Sequence, residues 1–314
     1  MKFRTEIKIQ KAAHAIDHHS KLVLMGSCFS EHMQEKFEYF KFQHCANPYG
    51  ILFHPLAIER ALKECIEQKV YTQEDLDYKN SNWLSYQHHS KFSGRDSNQV
   101  LQQINDEIHR AGKALRTASH FIITLGTSWV YRKKKDCDFV ANCHKIPQNE
   151  FTKDLLSVDE ISSSLTHMIT RIQAFNHEAK FIFTLSPVRH IKDGIEENSL
   201  SKARLLQAIH EVKDNNFVFY FPSYEIMMDD LRDYRFYDKD LIHPNEMAID
   251  YIWDLFIHSW MDEQTRNKME EVDKIQKSIS HRPFDPESDQ HKSFLKALQK
   301  RINTLESEHP EIKF

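Results

Sequence analysis

The stretch Lys21-Leu22-Val23-Leu24-Met25-Gly26-Ser27-Cys28-Phe29-Ser30 decides how this chain is read. Four apolar residues run into a glycine, two nucleophile-type side chains follow, and Glu31–Phe40 carries apolar residues at helical spacing. That is a strand, a sharp turn and a helix. A side chain at such a turn feels the positive end of the helix dipole, and free N–H groups there can hold an oxyanion. Cys28 and Ser27 are therefore the two candidate nucleophiles, and a cysteine in that position gains thiolate character.

Working outward, further strands are predicted at about Lys41–Ala46, Phe121–Leu125, Lys180–Leu185 and Asn216–Phe221. The last three hold continuous apolar runs rather than alternating ones, the pattern of strands covered on both faces in a parallel sheet. Helical patterns separate them over Pro55–Gln68, Ser97–Arg116, Val158–Ala174 and Leu200–Val212. Strand alternating with helix gives an α/β layered fold with right-handed crossovers. In such sheets ligands bind beyond the carboxyl ends of the strands, where Ser27, Cys28, Gly50, Gly126 and Ser186 fall. Glycine is scarce, at six residues, so Gly26, Gly50 and Gly126 near strand ends mark sharp turns or close approaches.

Two regions interrupt the alternation. Residues 71–95, with Trp83, Tyr86, His88, His89 and Gly94, read as an insertion or lid. Residues 131–147 read as a hairpin or loop, its tip carrying Arg132-Lys133-Lys134-Lys135 ahead of Asp136 and Asp138. Residues 1–260 form the main domain, and 261–314 a charged helical extension in two segments, Glu263–Ser280 and Asp289–Leu305.

Composition narrows the function classes. The chain has 314 residues, a net charge of −4 and interspersed charges, which argues against a nucleic-acid footprint. No apolar run is long enough for a bilayer span, and the start is too polar for a signal peptide. Five cysteines without even spacing do not make a disulfide framework, which points to a reducing cytoplasm. The 20 histidines and the group Cys137, Cys143 and His144 lack zinc-ligand spacing, so no metal and no cofactor are expected.

The second motif is Asp240-Leu241-Ile242-His243-Pro244-Asn245. Residues three apart on a tight turn can lie side by side, so the Asp240 carboxylate can orient the His243 ring through Nδ1 and leave Nε2 as a base. Pro244 suits the first position of the helix that follows. An Asp/His helix cap is the bland reading of the same residues.

The chain resembles the GSCFA family. Its signature stands here as Gly26-Ser27-Cys28-Phe29-Ser30, with serine for the final alanine. The likeness continues through Asn47–Leu52, Thr124–Trp129, Ala141–Lys145, Ser186–His190, Phe221–Glu225, Asp233–Tyr237 and Asp240–Asn245. It covers roughly residues 1–260 and leaves the helical tail outside.

That family looks like a branch of the SGNH (GDSL-like) hydrolases, which implies a three-layer flavodoxin-like fold with a five-stranded parallel sheet. The resemblance puts Cys28 at the nucleophile position, Gly50 at the oxyanion glycine with Asn47 close by, and Asp240 and His243 at the closing acid–base block. The third block departs from the pattern: Gly126-Thr127-Ser128-Trp129 lacks the asparagine, for which Ser128 or Asn142 is the candidate substitute. Losing one oxyanion donor typically costs about 100–1000-fold in rate.

The implied activity is an acyl hydrolase or acyltransferase, acting on a small acyl group such as acetyl carried by a carbohydrate or similar polar ester. Gly126, His89, Arg189 and His190 are the candidate substrate-binding residues. Two alternatives stand beside that activity. One is a ligand-binding protein on this scaffold, with Trp83–Phe92, Arg189 and His190 lining a polar pocket. The other is a thiol-dependent transferase or peptidase. Nucleic acid and membrane are not expected partners.

Overall fold

The structure is a computed structural model, and residues 4–314 are described. Five strands form one parallel sheet: β1 (Lys21–Gly26), β2 (Gln43–Ala46), β5 (His120–Leu125), β9 (Lys180–Leu185) and β10 (Val218–Phe221). Their spatial order is β2-β1-β5-β9-β10, with every neighbouring pair parallel. Counted along the chain within this sheet that is 2-1-3-4-5, the flavodoxin-like order, whose switch point lies between β1 and β5.

The apolar runs explain the layering. All six residues of β5 and of β9 are buried, as sheet covered on both faces requires. Alternate residues go to opposite faces. Val23, Met25, Phe121, Ile123, Leu125, Phe181 and Phe183 join one core. Leu22, Leu24, Ile122, Ile182 and Phe221 join the other. The first core is closed by α2 (Pro55–Glu67), α3 (Ser97–Thr117), α4 (Val158–Gln173) and α5 (Ile195–Val212), through residues such as Ile58, Ile104, Leu165 and Leu205. The second is closed by α1 (Cys28–Tyr39) and α7 (Glu246–Trp260), where Phe29, Phe37, Trp253, Phe256 and Trp260 meet. Each such buried side chain contributes roughly 1.5–3 kcal/mol. A single-turn helix α6 (Ser223–Glu225) and a π-helical turn over Ile226–Leu231 link β10 to the segment before α7.

The interruptions are structured. Strands β3 (Asp77–Lys79) and β4 (Asn82–Leu84) make a small hairpin within residues 71–95. That segment is pinned, because Tyr71, Leu76 and Phe92 enter the first core. The predicted hairpin is present as β6 (Trp129–Lys133) and β7 (Phe139–Val140). A strand that the periodicity did not reveal, β8 (Phe151–Leu155), pairs along all of β6. Its sequence, Phe-Thr-Lys-Asp-Leu, is too polar to announce itself.

The C-terminal segments are α8 (Glu263–Ile279) and α9 (Asp289–Glu308). They pack on each other through Val272, Ile275, Leu298, Ile302 and Leu305. The Tyr39 hydroxyl donates to Asp273 at 2.9 Å, and Gln276 Nε2 donates to the Tyr39 carbonyl at 2.9 Å, tying α8 to α1. Among the described residues no helix is long and apolar enough to cross a membrane.

Candidate functional site

Gly26 makes the turn after β1 possible. Its φ of +139° is left-handed, and a Cβ there would stand 2.1 Å from the Thr124 carbonyl oxygen on β5. Ser27 caps α1 and Cys28 is its first residue. Their accessibility differs. Ser27 is wholly buried, and its Oγ has no protein partner. Cys28 is partly exposed. Of the two candidate nucleophiles, only Cys28 has exposed surface. Burial pushes its thiol up, so the thiolate character expected of this position is not what the enclosed turn favours. The backbone N–H groups of Phe29 and of Cys28 itself and the charge of Lys202 pull it down, while Glu31 raises it further.

Asn47 stands beside this turn. Its Oδ1 accepts the Gly26 N–H at 3.0 Å, while its Nδ2 is buried without a protein partner. The other expected oxyanion donors are placed differently. The Gly50 N–H donates to the Asn47 carbonyl at 2.7 Å, closing a tight turn in which Gly50 has φ +76°. Ser128 is buried and its hydroxyl donates to Ser201 on α5. Asn142 spends its Oδ1 on the His144 N–H at 2.7 Å, in the β7–β8 connection. Gly126 gives its own N–H to the Phe53 carbonyl, which also takes that of Thr127. What remains is Asn47 Nδ2 and the N–H groups of Cys28 and Phe29 at the start of α1, since the Ser30 N–H donates to the Ser27 carbonyl at 2.8 Å.

His89 reaches the site and its neighbour His88 does not. A Cβ on Gly50 would meet His89 Cβ at 2.3 Å, so this glycine lets the histidine close over the turn. His89 also feels the charge of Glu31 on α1. His88 is fully buried, with its ring stacked on Tyr49 at 4.1 Å.

The Asp240 loop is built locally. Asp240 Oδ1 accepts the N–H groups of Ile242 and His243 at 2.9 and 3.0 Å, and Oδ2 meets His243 Nδ1 at 2.6 Å. Those bonds, from the His243 backbone first, hold the Asp240 carboxyl down to about 2. Pro244 does not take the first helical position, contrary to expectation. It bridges to Tyr237, and Asn245 is the cap of α7, accepting the Ala248 N–H at 3.1 Å.

The Asp240 loop adjoins the main site through the residues after β9. Arg189 lies over the Tyr237 ring at 4.9 Å, and its guanidinium donates to the Leu241 carbonyl at 3.5 Å. His190 Nε2 is 3.3 Å from where a Cβ on Gly126 would sit, which places the ring over the end of β5. Burial, then the charges of Lys202 and His243, push His190 down to about 4. No hydrogen bond joins Cys28 to His243. The electrostatic neighbours run from Cys28 to Lys202, from Lys202 to His190 and from His190 to His243.

Lys202 is the residue that sequence reasoning missed. It lies on α5, is almost wholly buried, and donates to the Ser186 carbonyl at 2.8 Å. It forms no salt bridge with a described carboxylate, and burial lowers it to about 7. In the sequence it is one lysine in an amphipathic helix, and only its burial distinguishes it. Around it the carboxyl edge of the sheet collects buried polar atoms without protein partners: Ser27 Oγ, Asn47 Nδ2, Thr124 Oγ1, Ser186 Oγ and His190 Nε2. Buried polar groups are ordinarily paired, so this concentration makes the edge a candidate ligand site. Among the described residues no cluster has a metal-binding set of His, Cys, Asp and Glu side chains.

No curated protein matches the chain. A family model described as "GSCFA domain protein, C-terminal domain" matches residues 272–314, the helical tail that the sequence resemblance left outside. A model described as "GSCFA family" matches residues 21–256, which takes in every strand of the central sheet, the Cys28 turn and the Asp240–His243 pair. The chain belongs to the GSCFA family.

Proposed function

We propose that the protein is an SGNH-like acyl hydrolase or acyltransferase that works through a thioester on Cys28. Support for this reading comes from a partly exposed cysteine at the first position of α1, at the switch point of the sheet, and from an Asp240–His243 pair whose loop is joined to the residues after β9 through Arg189 and His190. In the first step His243 Nε2 takes the Cys28 thiol proton and Sγ attacks the ester carbonyl. The carbonyl oxygen takes up negative charge against the N–H groups of the α1 turn and Asn47 Nδ2. As the C–O bond breaks, the leaving alkoxide takes a proton from His243. Water or an acceptor hydroxyl then gives its proton to His243 and attacks the thioester; the C–S bond breaks and His243 returns the proton to the departing thiolate. Asp240 keeps the His243 ring in the tautomer that leaves Nε2 for these transfers.

The acyl group is a small one such as acetyl, on a carbohydrate or similar polar ester, since polar atoms dominate the edge and fold analogy points the same way. Five free thiols suit a reducing cytoplasm as the compartment. The test is turnover of aryl acetates and acetylated sugars by the purified protein. Cys28→Ala and His243→Ala should each lose about 100-fold or more, and Ser27→Ala should retain an acyl adduct on Cys28. Turnover indifferent to His243→Ala removes the mechanism.

One observation favours a second reading, a binding protein on this scaffold. The N–H groups of Gly50 and Gly126 and the hydroxyl of Ser128 are all engaged within the fold, which leaves fewer oxyanion donors than the resemblance implies. That reading predicts stabilisation by acetylated sugars with no turnover and no adduct.

A further inference from the structure

The loop after β9, from Ser186 to His190, is held at both ends. Lys202 Nζ donates to the Ser186 carbonyl at 2.8 Å, and the His190 N–H donates to Asn198 Oδ1 at 2.9 Å. Asn198 and Lys202 stand one turn apart on the buried face of α5. Asn198 Nδ2 donates to the Tyr224 hydroxyl at 3.4 Å, and Lys202 Nζ lies 5.0 Å from the centre of the same ring. Arg189 therefore leaves a fixed backbone, and its side chain turns toward the Asp240 loop. The guanidinium carbon lies 4.9 Å from the centre of the Tyr237 ring and 5.8 Å from that of Tyr234. Its Nη2 donates to the Leu241 carbonyl at 3.5 Å, a long bond, and Leu241 lies between Asp240 and His243 in the chain.

A guanidinium is a planar, permanently charged fork of donors that matches a carboxylate or a phosphate edge to edge. Here the fork is underused. Arg189 Nε is buried without a protein partner, and no described carboxylate pairs with the group. The acidic side chains of this corner have other partners. Asp240 spends both oxygens on Ile242 and His243. Glu225 takes the Tyr220 hydroxyl at 2.7 and 2.8 Å, and Asp193 pairs with Lys153. Arg235, beside Tyr234 in the chain, is by contrast closed by Asp233 at 3.0 Å.

The orphaned atoms of the edge show the same surplus of donors. Asn47 Nδ2 and Arg189 Nε can only donate, while the hydroxyls of Ser27, Thr124 and Ser186 can do either. The orphans that can only accept belong to other regions: Gln87 stands against Phe139, Asp230 against Arg4, and Glu311 against Lys268. A ligand that completes this edge must supply acceptors.

We propose that Arg189 seats an anionic group, a carboxylate or a phosphate, carried by the alcohol part of the ester. The guanidinium adjoins the loop of His243, whose Nε2 serves the leaving oxygen, so the anion belongs to the leaving alcohol and not to the acyl group. Glu31, in the first turn of α1, repels a second negative charge on the acyl side. The substrate class narrows from polar esters in general to O-acyl esters of acidic sugars, and to that extent the proposal rests on the esterase reading. The seat itself does not.

The first arm of the test therefore needs no ester. In titration calorimetry on the full chain, methyl glucuronide or inorganic phosphate should bind about tenfold or more tightly than the neutral methyl glucoside. Arg189→Gln should lose that margin, and Arg189→Lys should keep part of it. Whichever anion binds more tightly names the acidic group, uronate or phosphate. Anions bound no better than the neutral sugar overturn the seat, as does a margin unmoved in folded Arg189→Gln.

The second arm reads turnover. The ratio of kcat/KM for acetylated methyl glucuronide to that for acetylated methyl glucoside should fall about tenfold or more in Arg189→Gln. If Arg189 merely braces the Asp240 loop against Tyr237, both esters suffer together, the ratio holds, and the proposal falls. The two readings fail separately. Anion binding through Arg189 without turnover of any ester sinks the esterase and leaves the seat. Turnover through Cys28 that ignores the charge of the substrate sinks the seat alone.

Discussion

The turn after β1 and the loop around Asp240 carry the two halves of one candidate site, yet they are made in opposite ways. The first is enclosed and long-range. Gly26 is shaped by a β5 carbonyl, Asn47 is tied to it across the β2 loop, and the charge beside Cys28 comes from α5. The second is exposed and local, with three bonds made by one carboxylate to residues two and three positions on. Its left-handed Leu241, at φ +59°, shows how tight that turn is. Enclosure works against ionisation of Cys28, since burial pushes the thiol up and only the neighbouring N–H groups and Lys202 offset it. An acid–base pair must only be oriented, and a few local bonds do that in the open.

The largest effect should come from disturbing the enclosed half. Gly26→Ala forces a Cβ onto the Thr124 carbonyl in a backbone region closed to alanine, and should cost roughly 3 kcal/mol or more in denaturant unfolding. A loss under about 1 kcal/mol would show that the β1–β5 edge yields, and the contrast between the halves would fail.

Lys202→Met should act in the other direction and stabilise the fold by about 1–3 kcal/mol at neutral pH, because a buried unpaired amine is replaced by an apolar side chain of similar length. The folded amine sits at about 7 against the ordinary 10.5. The unfolded chain thus binds more protons between those values, and stability from this group rises with pH through that window. The advantage of the variant should accordingly shrink between pH 7 and 10.5.

Asp240→Asn should cost about 10–100-fold in ester turnover and change the melting temperature little, since the carboxylate is solvated and its bonds are local. A large drop in stability would mean that the loop props up more of the fold than its geometry indicates. The smallest effect is the response of that pair to acid. A folded carboxyl held down at about 2 contributes order that is complete above the ordinary 3.8 and is lost as the pH falls toward 2. The His243 Nδ1 proton, followed by NMR, should survive at pH 4 and disappear on approach to pH 2. Its loss already at pH 5 would deny the short bond to Asp240.

The same contrast explains what the sequence revealed. Apolar runs such as Phe121–Leu125 and Lys180–Leu185 announced the central sheet, because burial on both faces leaves no alternative composition. Asp240 and His243 were legible as a pair, because their contact is set by spacing alone. Cys28 was legible as a position, through the glycine before it and the helix after it. Its surroundings were not, since Lys202 stands 174 positions further along and reaches the same sheet edge only through the packing of α5, on the Ser186 carbonyl. The fates of Gly50 and Ser128 were hidden for the same reason. A turn carbonyl and a hydroxyl on α5 claimed groups that local pattern left free. Strand β8 was hidden by its polarity, as it is held by pairing with β6 rather than by a buried face.

The covering of β1 by α1 and α7 sets the timetable by which this protein comes into being. Trp253, Phe256 and Trp260 emerge from the ribosome long after Leu22, Leu24, Phe29 and Phe37, which they must cover. Until then one side of the nascent sheet has no lid, and its aromatic surface is open to neighbouring chains and to chaperones. A stop during synthesis anywhere before α7 therefore releases a sticky half-built layer, not a smaller working domain.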